Sequence, residues 1–282
     1  MLKKIKIKKR SGVVEYFNIE KLIRALMRAG ANEDLASRIA HSVLSRVDRG
    51  ASTQDIYNLA KQYLKKAHPI VGARFSLREA ILRLGPAGYD FEKYIMLLFK
   101  DYGYTTYLPE ILHGKCVDHE VDVIAEKDGK RIIMECKLRK GNDVHIRIKD
   151  VLSTWARFVD LCEGYEIGSC KKIDQAWMVT NSRFSGDALK YGACKNMKLI
   201  SWNTPYEMPL PAYIDSRNLY PITILNSIKR YHLRVLSRCD ILLLRDLVDI
   251  DYLELCERTS LSRIQLEPIV NEAKEILSFK GL

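Results

Sequence analysis

Asp122, Glu135 and Lys137 are the residues of this 282-residue chain whose types and spacing point most directly to chemistry. Asp128-Gly129 is a strong two-residue hairpin signal, because the turn that matches the twist of two antiparallel strands needs positive φ at both central positions. A hairpin closed there sets Lys127 opposite Lys130 and Asp122 opposite Glu135. Side chains alternate along a strand, so Lys137 leaves the same face as Glu135. Val121, Val123 and Ala125 with Ile132, Met134, Cys136 and Leu138 then make the other face, which is apolar and is expected to pack inward. Opposed Cβ atoms lie about 4.5 to 5.5 Å apart, so two carboxylates would meet on a wet surface with an ammonium two residues along. Like charges so placed destabilise a sheet unless a counter-ion joins them. A hard divalent cation, Mg²⁺ or Mn²⁺, suits a few carboxylate oxygens together with waters and phosphate oxygens. Such an ion polarises a phosphodiester, lowers the pKa of a bound water and neutralises charge as phosphorus becomes five-coordinate, with Lys137 orienting or deprotonating the water. Glu92, near the start of the preceding helix, is placed to add a metal or water contact. The same three side chains would equally make an exposed, salt-bridged sheet face with no catalytic role.

The elements that must position these residues are legible from pattern. Gly85-Pro86-Ala87-Gly88 and the prolines at 205, 209 and 211 divide the chain into segments of about 1–84, 86–212 and 213–282. In the first, Lys4 to Lys9 alternates with Ile5 and Ile7, turns at Arg10-Ser11-Gly12 and returns over Val13 to Phe17 as a basic hairpin. Asn18 then opens a helix through Leu22 and Leu26. Further helices are expected through Leu35 to Val47, from Ser52 with Asp55, and over Leu77 to Leu84. The middle segment predicts a helix from Asp90 and strands at 105–108, 120–126 and 131–138. A helix near 144–162, a strand at 176–180, a helix over 185–194 and a strand at 199–202 follow. That is an α+β or α/β arrangement with helices on both sides of a short mixed sheet. The last segment reads as helical throughout, with two apolar helices between Ile241 and Leu277 separated by Thr259-Ser260-Leu261-Ser262.

No apolar run approaches the ~20 residues that span a bilayer, and Met1-Leu2-Lys3-Lys4-Ile5-Lys6 does not resemble a secretory signal, so a cytoplasmic protein with no membrane partner is expected. Seven cysteines form no C-x-x-C pair and no zinc-like cluster, which fits buried free thiols. A net charge of +11 makes a polyanionic partner plausible without specifying one.

Val121-Asp122 and Met134-Glu135-Cys136-Lys137, with twelve residues between the acids, resemble the PD-(D/E)xK nuclease superfamily, specifically Mrr-like restriction endonucleases and archaeal Holliday-junction resolvases. Val121 stands where the motif name has proline. Ala176 to Phe184 and Ala188 to Trp202 are similar to the later sheet of Mrr-like domains, so the likeness covers about 86–205. It implies metal binding by Asp122 and Glu135, a catalytic Lys137, and an accessory role for Glu92. Lys149 and Arg157, on the helix after the motif, lie where such folds often contact DNA phosphates. Solvated helix charges would look the same.

Residues 1–84 resemble an ATP-cone, the regulatory module of many ribonucleotide reductases and of a related bacterial repressor. The resemblance rests on Ile7-Lys8-Lys9-Arg10-Ser11-Gly12, Glu15, Phe17, Lys21, Thr53 and Ala73-Arg74-Phe75-Ser76-Leu77. It implies a purine nucleoside triphosphate, ATP or dATP, with Lys9, Arg10 and Lys21 on the phosphates, Ile7 and Thr53 near base and sugar, and Glu15 within the motif. A lysine-rich hairpin would also serve a DNA-binding face. The final segment resembles helix-hairpin-helix modules but lacks their glycines; its apolar faces could instead pack on the nuclease or form a dimer. No G-x-x-x-x-G-K-[ST] loop is present, so a P-loop motor is not indicated. Together these features predict a metal-dependent DNA endonuclease governed by the cone's nucleotide. Two other expectations stay open: a nucleotide-responsive DNA-binding regulator without cleavage, and a branched-DNA resolvase acting as a homodimer.

Overall fold

The computed structural model describes residues 6–8, 14–47, 50–84, 89–108, 110–140 and 145–282. It is a mixed α+β structure of two compact units. The chain up to Ala80 joins Ile222–Leu282 in one, and Ile81–Pro221 forms the other.

The first unit opens with antiparallel strands β1 (Lys6–Lys8) and β2 (Val14–Tyr16), which set Ile7 opposite Glu15. Helices α1 (Ile19–Arg28), α2 (Glu33–Arg46), α3 (Thr53–Ala67), α4 (Pro69–Phe75) and α5 (Leu77–Leu82) follow. Short polar side chains start the first three: Asn18, Asn32 and Ser52 accept from the N–H of Lys21, Leu35 and Asp55, satisfying donors that a helix start leaves open. Asp55 answers by accepting from the Ser52 N–H at 2.9 Å, a reciprocal capping box. The single helix expected over 77–84 is instead preceded by α4, which Pro69 opens at a position that needs no N–H. Leu22, Leu26, Ile39, Val43, Ile56 and Leu64 share one core with Ile7, and Phe279 from the far end of the chain packs on it.

The second unit comprises α6 (Tyr89–Asp101), β3 (Thr105–Tyr107), β4 (Glu110–His113), β5 (Asp118–Val121), β6 (Val123–Lys127) and β7 (Lys130–Lys137). It continues with β8 (His145–Ile146), α7 (Ile148–Glu166), β9 (Gln175–Thr180), β10 (Arg183–Phe184), α8 (Gly186–Cys194), β11 (Lys198–Ile200) and α9 (Leu210–Ser216). The main sheet runs β11-β9-β7-β6-β3. β7, β9 and β11 are parallel to one another, and β6 lies antiparallel to both β7 and β3. Ala176 and Met178 of β9 pack in one core with Val151 and Leu161 of α7 and Ala188 of α8. Trp177, one residue out of phase, meets Phe99 of α6 edge to face at 5.5 Å between ring centroids. Helices therefore cover both faces, as parallel strands require.

One strand expected at 120–126 is two. A bend at Asp122 separates β5 from β6, and β5 pairs with β4 in its own hairpin, Glu110 opposite Val121. The tip of that hairpin rests on α7. Asp160 accepts from the Cys116 N–H at 2.9 Å and lies 2.8 Å from His119 Nε2, and a Cβ at Gly114 would collide with the Asp160 carboxylate.

The first unit is completed by α10 (Arg230–Arg238), α11 (Leu244–Asp249), α12 (Tyr252–Thr259) and α13 (Arg263–Ser278). Three helices, not two, span Ile241 to Leu277. The turn before α13 holds Ser260 in the left-handed region, φ 55°, where a glycine would be easier. This segment packs on the N-terminal helices: Leu282 N donates to the Gly30 carbonyl at 3.0 Å. Among the described residues no helix is long and apolar enough to cross a membrane. All seven cysteines are free.

Candidate active site

The turn at Asp128 (φ 51°) and Gly129 (φ 72°) fixes the register of the β6–β7 hairpin. Lys127 pairs with Lys130 and Val123 with Met134, so the expected alignment holds along β6. Asp122 lies in the bend just before β6, and its Oδ2 accepts from the Cys136 N–H at 2.7 Å. That bond draws its carboxylate across to the end of β7, beside Glu135 and Lys137.

Glu135 is 6% exposed, which corrects the expectation of a wet acidic face. Ile124 and Ile133 stand on the same face and are fully buried beneath Val151 and Leu161 of α7. Val121 joins this cluster instead of the Val123 side, because the bend at Asp122 interrupts the alternation. A buried carboxylate must be paired or lose its charge. Glu135 is paired twice: Oε1 with Lys137 Nζ, two residues along β7, and Oε2 with Arg157 Nη1, from α7.

The neighbouring acids carry the strain of this crowding. Burial, then the Glu135 charge, pushes Asp122 up to about 6, against the pull of the Cys136 N–H, Lys137 and Arg157. Glu92, in the first turn of α6, is pushed up to about 7 by burial and by Asp122, Glu120 and Glu135. Glu120, exposed on β5, is the acid that sequence reasoning passed over. Its signal was its place two residues before Asp122, which on a strand puts both on one side.

The end of β7 is held firmly. Thr180 Oγ1 donates to the Lys137 carbonyl at 2.6 Å. Asn181, fully buried, accepts from the Arg139 N–H at 2.8 Å and donates to the Arg139 carbonyl at 3.1 Å. Arg139 Nη2 in turn bonds Asp150 in the first turn of α7 at 3.1 Å. Thr180, Asn181 and Asp150 carry no motif of their own, so only the fold shows them as supports.

Asp122, Glu135, Lys137, Glu92 and Arg157 thus come together, whereas Lys149 is exposed in the first turn of α7 and takes no part in that network. The donor set is all carboxylate oxygen, which suits a hard divalent cation. Among the described residues no three His, Cys, Asp or Glu side chains are already spaced as a ligand set, and both Glu135 oxygens face cationic side chains. A metal ion there would take over contacts that Lys137 and Arg157 now make.

In the first unit, Ile7 is buried in the core opposite half-buried Glu15. Lys21 is exposed in the first turn of α1 and Thr53 is exposed at the first position of α3. The Gly50 N–H donates to the Lys6 carbonyl at 3.1 Å and ties the loop before α3 to β1. Lys9 and Arg10 lie outside the described residues.

Residues 5–80 match the ATP cone domain, residues 86–204 the restriction endonuclease domain of the Mrr catalytic type, and residues 220–277 the domain described as AF1548-like, C-terminal. An uncharacterized protein of Archaeoglobus fulgidus is 34% identical over 180 residues, 64% of this chain and 98% of that protein. The chain belongs to the AF1548-like family. The crystal structure of the protein of unknown function AF1548 is similar to this chain with a TM-score of 0.58 and 33% identity, covering 67% of this chain and 97% of that one. MspJI restriction endonuclease in complex with a 27-mer oligonucleotide is more distant, 11% identical with a TM-score of 0.28 over 67% of this chain and 45% of that one, and carries no argument. This AF1548-like chain therefore joins an ATP-cone domain to a restriction-endonuclease domain of the type its motif resembles.

Proposed function

We propose that the chain is a PD-(D/E)xK-type endodeoxyribonuclease, dependent on Mg²⁺ or Mn²⁺ and controlled by ATP or dATP at its N-terminal cone. The observation that carries this reading is the convergence of Asp122, Glu135 and Lys137 at one strand end, with two neighbouring carboxylates pushed well above their ordinary range. A fold that only needed stability would gain by replacing such a cluster with apolar residues. Clusters of this kind gather at sites of chemistry.

Asp122 and Glu135 would hold the cation, which when bound polarises the scissile phosphate and lowers the pKa of a coordinated water. Lys137 stands at the mouth of the strand end, where its ammonium orients the attacking water and stabilises the charge developing on the phosphate. Arg157 shares Glu135 with Lys137, so a cation held by Glu135 would free its guanidinium to pair with a DNA phosphate. Glu92, with its raised pKa, is suited to pass a proton near neutral pH. Asn181 and Thr180 keep the Lys137 backbone in place. Lys149 adds an exposed phosphate contact. Ile7, Lys9, Arg10, Glu15, Lys21 and Thr53 would bind the nucleotide as a regulatory ligand, and the free thiols fit a cytoplasmic protein.

The test is a cleavage assay on plasmid, methylated plasmid and junction DNA, with and without Mg²⁺ and with ATP, dATP or neither. Cutting that needs the metal and disappears in Glu135→Ala and Lys137→Ala, while DNA binding survives, is the expected result. Retained cutting by both variants would refute the assignment.

A further inference from the structure

The nuclease site leaves one charged surface unused. Lys229 to Arg238 contains four lysines or arginines and no acid, while the acidic residues of the stretch that completes the first unit, Ile222–Leu282, all come later, from Asp240 onward. Helix α10 sorts its side chains cleanly. Leu236 and His232 are buried, and Arg230, Arg234 and Arg238 are all exposed. Spacing of four residues puts the three guanidinium groups in a row, about 6 Å apart at 1.5 Å per residue. Among the described residues none of the three has an acidic partner.

Two neighbours hold the row in place. Tyr231 receives a 2.7 Å hydrogen bond from Gln265 Nε2, and Gln265 also accepts from the Ser262 N–H at 2.9 Å, so the first turn of α10 is fixed against the first turn of α13. Arg263, in the same turn of α13, holds its guanidinium over the Tyr252 ring at 5.3 Å. At the other end Arg258 Nη2 donates to the Cys239 carbonyl at 2.9 Å while its Nη1 pairs with Glu254 at 3.5 Å, so it braces the end of α10 without adding a free charge. The helix is thus a braced mount with three exposed arginines along it.

The chemistry narrows the partner. Arginine forks match phosphate and carboxylate oxygens alike, so the fork fixes an oxyanion partner and the spacing of the row must select among them. A membrane surface would need the apolar face of α10, and that face is already spent in the core. Single-stranded nucleic acid would need free aromatic platforms, and the Tyr231 ring already packs on His232 at 4.6 Å between centroids. A straight row of cations on a convex helix suits the regular charge of a duplex, which carries one phosphate per about 1.7 Å of axis.

We infer that the face of α10 bearing Arg230, Arg234 and Arg238 is a second, sequence-independent binding surface for duplex DNA, separate from the strand-end carboxylates. The choice of DNA over RNA rests on the proposed nuclease reading; the surface itself does not. It would hold substrate through backbone phosphates and leave base readout to other elements.

The experiment measures binding of the full chain to a 30-base-pair DNA duplex and to an RNA duplex of the same sequence, in EDTA so that no cleavage intervenes, across a salt series. Arg230→Gln/Arg234→Gln/Arg238→Gln is compared with Arg24→Gln/Arg28→Gln/Lys66→Gln, which removes the same charge from exposed positions of α1 and α3. The stripe variant should lose at least about tenfold in DNA affinity, and the slope of log affinity against log salt should fall by about 2.7, for three phosphate contacts. The control variant should keep both. Equal losses in the two variants, no loss in either, or tighter binding of the RNA duplex would overturn the inference. Circular dichroism melting of both variants excludes unfolding as the cause. Because nothing is cut in EDTA, failure of this surface and failure of the nuclease assignment are read separately.

Discussion

The two candidate sites are built in opposite ways. At the end of β7 the functional groups are carboxylates that are buried, crowded and coupled, with Asp122 and Glu92 raised and Glu135 sealed by two cations. In the cone the polar candidates at the helix starts, Lys21 and Thr53, are exposed beside capped helix ends, while Ile7 is buried and Glu15 half-buried on the hairpin. Crowded acids cost folding free energy, so their persistence is an argument for chemistry. Exposed cations cost almost nothing and argue much less. The comparison teaches that burial and mutual repulsion, more than residue type, separate a catalytic reading from a surface one.

The contrast can be broken most sharply at Lys137. Lys137→Ala should lower the rate of plasmid cleavage by about 10²–10⁴-fold, the usual worth of a positioned proton-transfer group, with DNA affinity retained. A loss below tenfold would put this lysine with the surface charges. Next in size is the support beneath it. Asn181→Ala leaves the N–H and carbonyl of half-buried Arg139 without their partner, so urea unfolding should show a loss of about 2–4 kcal/mol, each orphaned group costing about 1–3. Gly114→Ala drives a methyl into Asp160 and should destabilise the second unit by about 1–3 kcal/mol while loosening the β4–β5 hairpin that carries Glu120. Hydrogen exchange across 110–121 would show the loosening. On the cone side Lys21→Ala should weaken ATP binding by about tenfold, one charge-assisted contact, and leave the melting temperature unchanged.

The smallest effect is a pH dependence with a definite sign. Asp122 and Glu92 have folded pKa values of about 6 and about 7, above their ordinary values near 4. The folded state therefore holds their protons more tightly. In EDTA their contribution to stability is fully present below about pH 4 and is lost as pH rises through 6 and 7. Asp122→Asn/Glu92→Gln should flatten the fall in the urea midpoint between pH 5 and pH 8. Cation binding runs the other way, because the carboxylates must be deprotonated to bind it.

Much of the fold was legible because local chemistry dictated it. Asp128-Gly129 fixed the hairpin register, Ser52 with Asp55 fixed the start of α3, and the apolar run at 176–179 marked a strand buried on both faces. The meeting of Asp122, Glu135 and Lys137 was legible for the same reason. What failed depended on partners distant in sequence. Ile124 and Ile133 hinted that the acidic face was covered, yet only α7 shows by what. Arg157 looked like a phosphate contact, but the fold carries it to Glu135 across 22 positions. The bend at Asp122 follows from its bond to Cys136, which strand alternation cannot reveal. The joining of Phe279 to the N-terminal core likewise has no local signal.

Titration of Mn²⁺ into the DNA-free protein, followed by electron paramagnetic resonance, tests the central claim most directly. The wild-type chain should bind the ion at a site that disappears in Asp122→Asn/Glu135→Gln while the variant keeps its fold. Undiminished binding by the folded double variant would contradict the account.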